Sequence, residues 1–284
     1  IGADTSGNTN HWTSAGIVAS DCAMPDSPEN NFATMNPLIN GYTTNMSFSE
    51  GNLVGTHASG YNTTLGTILM ETGKWYWEIT CNDWNNYCMM GIARENAIQY
   101  TDSTAYGQTG VMTYATQGAV YNESNSGGGS YTSFLASQVI GMALDLDSSP
   151  RTWKFYNNNS LQGTINLSAN FDGFGVVPTF TINNGTFRVN FGADSTFANL
   201  KTSGSAEAQD GNGIGDFFYA PPSGYLALCT ANLSEPLISG NATTQANDYF
   251  NTFTYVGNST DDRVVRGVGP DDFKPDWIWF KKRS

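Results

Sequence analysis

The stretch Gly-Lys-Trp-Tyr-Trp-Glu-Ile-Thr-Cys, from Gly73 to Cys81, alternates apolar and polar side chains without a break. A period of two is typical of a β-strand with one buried side and one side facing water. The apolar positions are Trp75, Trp77, Ile79 and Cys81. Two tryptophans on one side bring a large apolar area, so we expect this strand to lie in the core. On the solvent side, Glu78 is expected to pair with Arg94 or Arg188.

The composition extends this interpretation to the whole chain. Charged residues make up only 13%, and the chain contains 31 glycines. Abundant Asn, Ser and Thr at the polar positions favour turns and strands over helices. No long stretch has the apolar period of a helix, so the sequence predicts an all-β protein. A chain of 284 residues can bury a sizeable core without disulfides or metals.

Charge and hydropathy narrow the possible partners. The net charge of −13 argues against nucleic acid, which requires clustered Lys and Arg, and the basic cluster Lys281–Arg283 is confined to the last residues. No apolar run reaches the ~18 residues that a membrane span requires. The chain begins with Ile1 and lacks the order of a signal peptide, so we expect a piece of a longer protein.

Neither a metal nor a cofactor is expected. The four cysteines, Cys22, Cys81, Cys88 and Cys229, lack the C-x-x-C spacing of zinc sites. Cys81 and Cys88 flank a predicted hairpin loop and could come close, but we favour free, buried thiols. The glycine cluster at 127–129 is not followed by a helix start, so it does not predict a phosphate site.

The first of two predicted hairpins joins residues 139–147 to the strand around Trp153. A four-residue turn at 148–151 would place Leu146 opposite Trp153 and Leu144 opposite Phe155. Asp145 and Asp147 then point to the other side of the strand.

The second predicted hairpin turns at Asn184-Gly185, a sequence typical of a type I′ turn. Positive φ is expected at both residues. The resulting pairs share one buried side: Ile182 with Phe187, Phe180 with Val189, and Pro178 with Phe191.

Composition divides the chain into four parts. Residues 1–34 are expected to form an extended linker, and 35–195 a single β domain with many short strands. Residues 196–247 are expected to connect this domain to the next, because 201–215 consist largely of Ser, Gly, Ala and acidic residues. Residues 248–284, with the aromatic stretch Trp277-Ile-Trp-Phe280, predict the start of a further β unit.

Several motifs within 35–195 resemble, in order and spacing, those of a SPRY (B30.2-like) domain. They are Gly73-Lys-Trp-Tyr-Trp-Glu-Ile79, Met90-Gly-Ile-Ala93, Ile140-Gly-Met-Ala-Leu-Asp145 with Trp153-Lys-Phe-Tyr-Asn-Asn158, and Pro178-Thr-Phe180 leading to Asn190-Phe-Gly192. The resemblance implies a concanavalin-type sandwich of two antiparallel sheets, to which the C-terminal segment adds a short β element.

The flanks are similar to segments of large bacteriophage virion proteins, especially those of marine phages. The similar segments are 26–37, 221–233 and 275–284. This resemblance implies a tail, fibre or capsid appendage, made in the host cytoplasm and present in the extracellular particle. Its partners would be copies of itself, other virion proteins and possible host-surface glycans or proteins.

The sequence contains few residues in arrangements that could form a catalytic site. His11 and His57 are its only histidines, and neither lies beside a nucleophile motif such as G-x-S-x-G. Asp145 and Asp147 could act as acid and base or bind a cation, but carboxylates leading into a turn are typically solvated. The paired carboxylates of glycosidases face each other across the sugar, at about 5–9.5 Å. We therefore expect no catalytic activity.

Three interpretations of function follow. The chain is a non-catalytic virion protein that presents loops for assembly or attachment, a carbohydrate-binding module, or a polysaccharide depolymerase that uses Asp145 or a neighbouring acid. The first two are compatible. The candidate binding residues are aromatic side chains in segments without a core pattern, Trp84, Tyr100, Tyr106 and Tyr131. The same rings could instead cap the sandwich ends or join subunits.

Overall fold

The computed structural model describes the greater part of the domain predicted at 35–195 and a segment that follows it. The residues described are 6–11, 13, 15, 26–27, 30–39, 46–84, 87–97, 105–124, 126–202, 208–234, 250, 252, 254–257, 277–279 and 281, with 82–84 and 105 described by their backbone alone. The chain divides into two compact units, Ile1–Asn232 and Leu233–Ser284. All the elements below belong to the first unit.

Within these residues, the first unit contains thirteen strands and three short 3-10 helices. The strands are β1 (Ser47–Ser49), β2 (Val54–His57), β3 (Asn62–Leu65), β4 (Lys74–Trp84), β5 (Cys88–Arg94), β6 (Val111–Ala115), β7 (Val120–Asn122), β8 (Val139–Asp145), β9 (Thr152–Asn157), β10 (Ser160–Asn166), β11 (Val176–Ile182), β12 (Gly185–Asn190) and β13 (Leu226–Ala227). The 3-10 helices span Ala105–Gly107, Ala169–Phe171 and Thr230–Asn232.

The strands form two sheets. The larger sheet has the order β1-β2-β12-β4-β8-β9-β10, with β13 also paired to β4, and the smaller has the order β3-β11-β5-β6-β7. Neighbouring strands are antiparallel, except that β13 runs parallel to β4. The predicted all-β, two-sheet antiparallel sandwich is confirmed.

The core lies between the sheets and is rich in aromatic rings. Trp75 and Trp77 are 4% and 0% exposed, as the alternation in β4 predicts. Rings of the two sheets stack across the core, Tyr114 on Phe155 at 4.4 Å and Phe180 on Phe187 at 5.7 Å between centroids. Such pairs stabilise a core beyond the apolar area that they bury.

The predicted hairpin at Asn184-Gly185 is wrong. β11 lies in the smaller sheet and β12 in the larger, so the chain crosses between sheets at this point. The side chains expected to meet are nevertheless buried together, with Phe180 facing Phe187 across the core. An inward apolar side on each strand suits sheets that face each other as well as strands that pair, so the pattern could not separate the two.

The crossing depends on a glycine. Gly185 has a φ of +134°, whereas Asn184 does not have the positive φ expected of it. Gly185→Val should therefore destabilise the fold by about 1–3 kcal/mol, because a β-branched residue resists this backbone conformation. Chemical denaturation measures the loss. Thr186→Val, at the next position, is the control and should change stability little; an equal effect of both substitutions would contradict a conformational requirement at Gly185.

The register expected between β8 and β9 is also wrong, by two residues. Leu144 pairs with Trp153 and Met142 with Phe155. The connection is longer than predicted because Asp145 accepts hydrogen bonds from the backbone N–H groups of Asp147 and Ser148, at 3.0 and 2.9 Å. The Asp145 carboxylate thus shapes a wider turn between the two strands.

The side of β4 that was expected to face water is buried, contrary to prediction. Tyr76, Glu78 and Thr80 are at most 2% exposed. They are covered by residues 208–229, here called the strap, whose β13 pairs with the start of β4. Phe217 of the strap packs edge-on against Tyr76, with ring centroids 5.3 Å apart. The connection predicted at 196–247 therefore contains a segment that packs on the sandwich.

Glu78 holds the strap through its carboxylate. Its two oxygens accept hydrogen bonds from the N–H groups of Phe218 and Tyr219, both at 2.8 Å. Tyr76 Oη donates from 3.1 Å and Asn190 Nδ2 from 3.3 Å. The pairing expected with Arg94 or Arg188 is therefore replaced by four donors, which satisfy a carboxylate that has no access to water.

The free energy of unfolding should fall as pH rises from about 4.5 to about 7. Burial raises the pKa of Glu78 from 4.5 to about 7, against the opposing effect of its hydrogen bonds. Since the folded state binds this proton more tightly than the unfolded chain, the stabilisation is complete below pH 4.5 and is lost as pH rises through 7. The loss is on the order of 3 kcal/mol, measurable by urea unfolding across this range.

Glu78→Gln is the control for this pH dependence, because an amide has no proton to lose and the slope should disappear. The buried carboxyl group of Asp145 has a lowered pKa, so its contribution changes at more acidic pH. A wild-type protein whose stability stays constant or rises between pH 4.5 and 7 would contradict the assignment.

Cys81 and Cys88 form a disulfide that joins β4 of the larger sheet to β5 of the smaller one. The expectation of free thiols is wrong for this pair, because both residues point into the space between the sheets. Cys229 is free and buried, as expected. Cys22 lies outside the described residues.

Candidate binding surface

Four half-buried tyrosines, Tyr61, Tyr87, Tyr106 and Tyr121, are here called the tyrosine cluster. Their rings follow one another in a chain: the centroids of Tyr87 and Tyr61 are 6.0 Å apart, those of Tyr61 and Tyr106 5.3 Å, and those of Tyr106 and Tyr121 5.1 Å. Contacts of this kind hold tyrosines in place while part of each side chain stays in water. The cluster is the largest group of partly exposed aromatic rings in mutual contact among the described residues.

Strand alternation places three of these rings on the outer face of the smaller sheet. Met90 and Phe180 point into the core, so Met89 and Thr181 point outward. Tyr87 lies two residues before Met89, and Tyr61 lies two residues before Thr63, which also points outward. Tyr121 pairs with Thr113, which points outward as well. Tyr106 reaches them from the 3-10 helix Ala105–Gly107.

Small and polar side chains, all of them buried, lie beside the cluster on the same side of the smaller sheet. The register Thr179–Gly91–Thr113 crosses three strands, and Thr63 and Thr181 share a hydrogen bond of 2.8 Å between their hydroxyls. The hydroxyls of Thr113 and Thr179 are buried without a protein partner. Because these threonines are at most 3% exposed, the half-buried tyrosine rings are the part of this region that a ligand can reach.

The tyrosine cluster is electrically neutral. Burial raises the pKa of Tyr61, although a hydrogen bond with Asn183 opposes the shift. Burial also raises the pKa of Tyr121. Both phenols therefore stay protonated near neutral pH and offer hydroxyl donors together with apolar ring surface. This combination suits recognition of a polar, uncharged surface or of a protein loop.

The predicted binding residues are only partly brought together. Tyr106 lies in the cluster, and Trp84 ends β4 opposite Gly185, with its backbone alone described. Tyr131 lies elsewhere, with its ring 5.0 Å from that of Phe155 and 6.5 Å from that of Tyr114. Tyr100 is outside the described residues. The ring of Tyr131 therefore contacts core rings and stands apart from the tyrosine cluster.

Sequence reasoning missed Tyr61, Tyr87 and Tyr121. Each lies within or immediately before a predicted or observed strand, where an aromatic residue is typically interpreted as core. The signal that could have identified Tyr87 is the alternation of side chains along β5. Tyr87 falls on the side of the strand opposite to Met90 and Ile92, so its ring faces away from the sandwich core.

The candidate acid pair is engaged in structural contacts. Asp145 Oδ2 lies 2.8 Å from Lys74 Nζ, and Asp147 Oδ1 accepts the N–H of Gly73 at 2.8 Å. Burial acts to raise the pKa of Asp145, but hydrogen bonds from Lys74 and from the N–H groups of Ser148 and Asp147 lower it. These carboxylates hold the start of β4 against the turn after β8.

The described part of the chain contains no group of three or more His, Cys, Asp or Glu side chains placed to hold a metal ion. None of its helices is both long enough and apolar enough to span a membrane.

Part of the sandwich is similar to a known protein family. The family model of the SPRY domain matches residues 74–194. The fold is similar to that of the SPRY domain of human HERC1, with 16% identity and a TM-score of 0.44 over 55% of this chain and 96% of that chain. It is also similar to a human SPRY domain, with 13% identity and a TM-score of 0.43 over 53% of this chain and 99% of that chain. The TRIM65 PSpry domain is similar with 14% identity and a TM-score of 0.43 over 56% of this chain and 89% of that chain. A search of curated protein sequences gave no significant match.

Proposed function

We propose that this chain is a non-enzymatic bacteriophage virion protein that uses its β-sandwich, of which residues 74–194 match the SPRY family model, for assembly or host-surface attachment. SPRY domains are β-sandwich modules that often mediate protein interactions. The observation that carries the proposal is the tyrosine cluster, a neutral and partly exposed aromatic surface held in place by a rigid sheet. Such residues are enriched where proteins bind their partners.

The contacts of the reactive groups support a non-catalytic role. Asp145 is paired with Lys74, and Glu78 is fully enclosed by the strap. His57 is 4% exposed. A general acid or base must reach the proton that it transfers, directly or through one water. These groups instead connect segments of the fold.

The virion context rests on the flanking segments 26–37, 221–233 and 275–284, which are similar to phage structural proteins. A particle that carries many copies also explains how a weak binding surface on each copy would be sufficient for attachment. Weak individual sites on a rigid particle gain about 10²–10⁴ in overall strength when several engage together. The chain would then work in the extracellular particle after synthesis in the host cytoplasm.

Carbohydrate binding is the second candidate, and the neutrality of the tyrosine cluster favours it. The half-buried tyrosine rings offer stacking surface and hydroxyl groups without charge. A glycan array probed with the purified chain separates a glycan ligand from a protein ligand. A depolymerase would in addition release reducing ends from host polysaccharide, and the proposal expects none.

The virion assignment is tested by the composition of the particle. Mass spectrometry of purified phage particles should find peptides from residues 74–194 at a fixed copy number, and labelled antibody should place them on a tail, fibre or appendage. Particles that lack the chain would contradict a structural role, and release of reducing sugar by the isolated chain would contradict the non-enzymatic one.

A further inference from the structure

Lys154, on β9, is a cation without a protein acceptor. Among the described residues, no carboxylate or carbonyl oxygen accepts a hydrogen bond from its ammonium group, whose Nζ lies 5.5 Å from the ring centroid of Tyr225. An ammonium group has three donors, so Lys154 retains its capacity to bind an anion. Other cations of the first unit are engaged: Lys74 with Asp145, Arg94 with the Asn170 carbonyl, Arg151 with Asp172, and Lys201 with the Ser137 carbonyl.

The hydroxyl of Tyr225 is a second donor without an acceptor. Tyr225 belongs to the strap and is 5% exposed, and its hydroxyl is buried without a hydrogen-bond partner. Buried polar side chains nearly always have one, so this hydroxyl indicates a missing acceptor. Because Lys154 Nζ lies near the same ring, the two oxygens of one carboxylate can accept from both donors. The half-buried lysine stem is flexible, which lets the ammonium group move with such a ligand.

The ring of Tyr156 lies beside Lys154 on a face that remains open. The two residues are two positions apart on β9, so both point to the outer face of the larger sheet, and both are half-buried. On β10, Lys154 pairs with exposed Thr164, and Tyr156 pairs with Leu161, which is 52% exposed. Lys154, Tyr156, Thr164 and Tyr225 are here called the lysine surface.

The carboxylates closest to the lysine surface in the strand register have other partners. Asp145 lies on β8 beside Lys74, whose Nζ is 2.8 Å away and balances its charge. Glu78 is 0% exposed, and its oxygens accept from four donors. Lys154 therefore presents a positive charge on a chain whose net charge is −13.

We propose that the lysine surface binds a uronic acid unit of an acidic polysaccharide. The carboxylate of the sugar accepts hydrogen bonds from Lys154 and from the Tyr225 hydroxyl, and charge-assisted hydrogen bonds are the stronger ones. The sugar ring stacks on Tyr156, and its hydroxyls reach Thr164. The proposal uses no residue of the tyrosine cluster and does not depend on the virion context.

The position of Lys154 favours a sugar over an acidic peptide. An extended peptide would add to the open edge of the sheet, where β10 offers unpaired backbone groups. Neighbouring strands are about 4.8 Å apart, so Lys154 on β9 would lie about two strand spacings from such a peptide. A ligand that lies flat on the outer face instead contacts Lys154 and Tyr156 directly. A sugar ring with a carboxylate and hydroxyls has that shape and chemistry.

Isothermal titration calorimetry of the full chain with tetragalacturonate tests the proposal. The wild type should bind it, should bind the fully methyl-esterified tetramer at least about tenfold more weakly, and should lose affinity as salt is added. Lys154→Met keeps most of the stem but removes the charge. It should weaken binding at least about tenfold, the contribution of one hydrogen bond to a charged group. The melting temperature should change little, because Lys154 has no protein acceptor to lose.

Lys201→Met is the matched control. Lys201 Nζ also lies 5.5 Å from the centroid of an aromatic ring, that of Phe218, and its replacement changes the net charge equally. The affinity for tetragalacturonate should stay unchanged. Tyr61→Ala and Tyr106→Ala, in the tyrosine cluster, should also bind tetragalacturonate like the wild type. A failure of this proposal is therefore distinguishable from a failure of the tyrosine cluster as an attachment surface.

Four results would overturn the proposal: a wild type that does not bind tetragalacturonate, equal affinity for the methyl ester, a Lys154→Met variant that binds like the wild type, or an equal loss in Lys201→Met. A polyglutamate peptide that binds as tightly as tetragalacturonate would overturn the assignment to a sugar.

If Lys154→Met lowers the melting temperature, Thr164→Glu decides the question. Thr164 is exposed and pairs with Lys154, so a carboxylate at this position would occupy the ammonium group. Binding should weaken at least about tenfold in Thr164→Glu. Ser47→Glu, at an exposed position on β1 at the opposite edge of the same sheet, should bind like the wild type. Equal affinities of these two variants would overturn the proposal.

Discussion

Replacing Trp77 with alanine should lower the free energy of unfolding by about 3–5 kcal/mol, the cost of removing a large buried ring and leaving a cavity. Trp77 is 0% exposed and lies opposite Met142, in a strand flanked by β12 and β8. The packed core around it has little freedom to collapse into the space left by the indole. Urea denaturation at constant pH measures the change.

The matched control for this substitution is Trp279→Ala. Trp279 is 77% exposed, so its loss should change stability by less than about 0.5 kcal/mol. A loss below about 1 kcal/mol for Trp77→Ala would contradict its position at the centre of the core.

Glu78→Ala should destabilise the protein by about 3 kcal/mol or more and should loosen the strap. The substitution leaves four donors without an acceptor in a site closed to water, and each unsatisfied buried group costs about 1–3 kcal/mol. Hydrogen exchange should show the amides of Phe218 and Tyr219 exchanging faster than in the wild type. Unfolding measured at pH 8, above the pKa of about 7, gives the energetic cost of losing the ionised carboxylate.

Glu71→Ala is the control, because Glu71 is exposed and precedes the same strand. It should leave both the stability and the exchange of the strap amides unchanged. If Glu78→Ala behaves like Glu71→Ala, the carboxylate does not fasten the strap.

The alternation of apolar and polar residues in β4 was enough to predict the buried tryptophans but not the burial of Glu78. Alternation reports which side of a strand is more apolar, and a polar side is normally interpreted as solvent-facing. The segment that covers Glu78 lies about 140 residues further along the chain, directly after residues 201–215, which have the composition of a linker. The hydrogen bonds of this segment to Glu78 are long-range and come from backbone N–H groups. Because almost every residue has a backbone N–H group, no pattern of side chains indicates these hydrogen bonds.

The Asn184-Gly185 signal shows why a correct local pattern can support the wrong topology. The glycine marks a reversal with a positive φ, and the flanking side chains do meet. Pairing within a sheet and facing across two sheets both place Phe180 near Phe187. The two arrangements differ only in which strands pair with each other. In the structure β11 pairs with β3 and β5, whereas β12 pairs with β2 and β4.

The candidate site was predicted in part for a similar reason. Loop position identified Tyr106, whose ring contacts those of Tyr61 and Tyr121. It also selected Tyr131, which packs on the core ring of Phe155 instead. Whether an aromatic residue near a strand end faces the core or the outer face depends on which sheet the strand joins, and that is a property of the complete topology.

Host adsorption of assembled particles tests most directly whether the tyrosine cluster is the attachment surface. Particles carrying Tyr61→Ala and Tyr106→Ala should assemble normally and adsorb to host cells several-fold more slowly than wild-type particles. Tyr131→Ala, which removes a tyrosine outside the cluster, should leave adsorption per assembled particle unchanged. Normal adsorption of the Tyr61→Ala and Tyr106→Ala particles, with the sandwich shown to be folded by its melting temperature, would contradict the account.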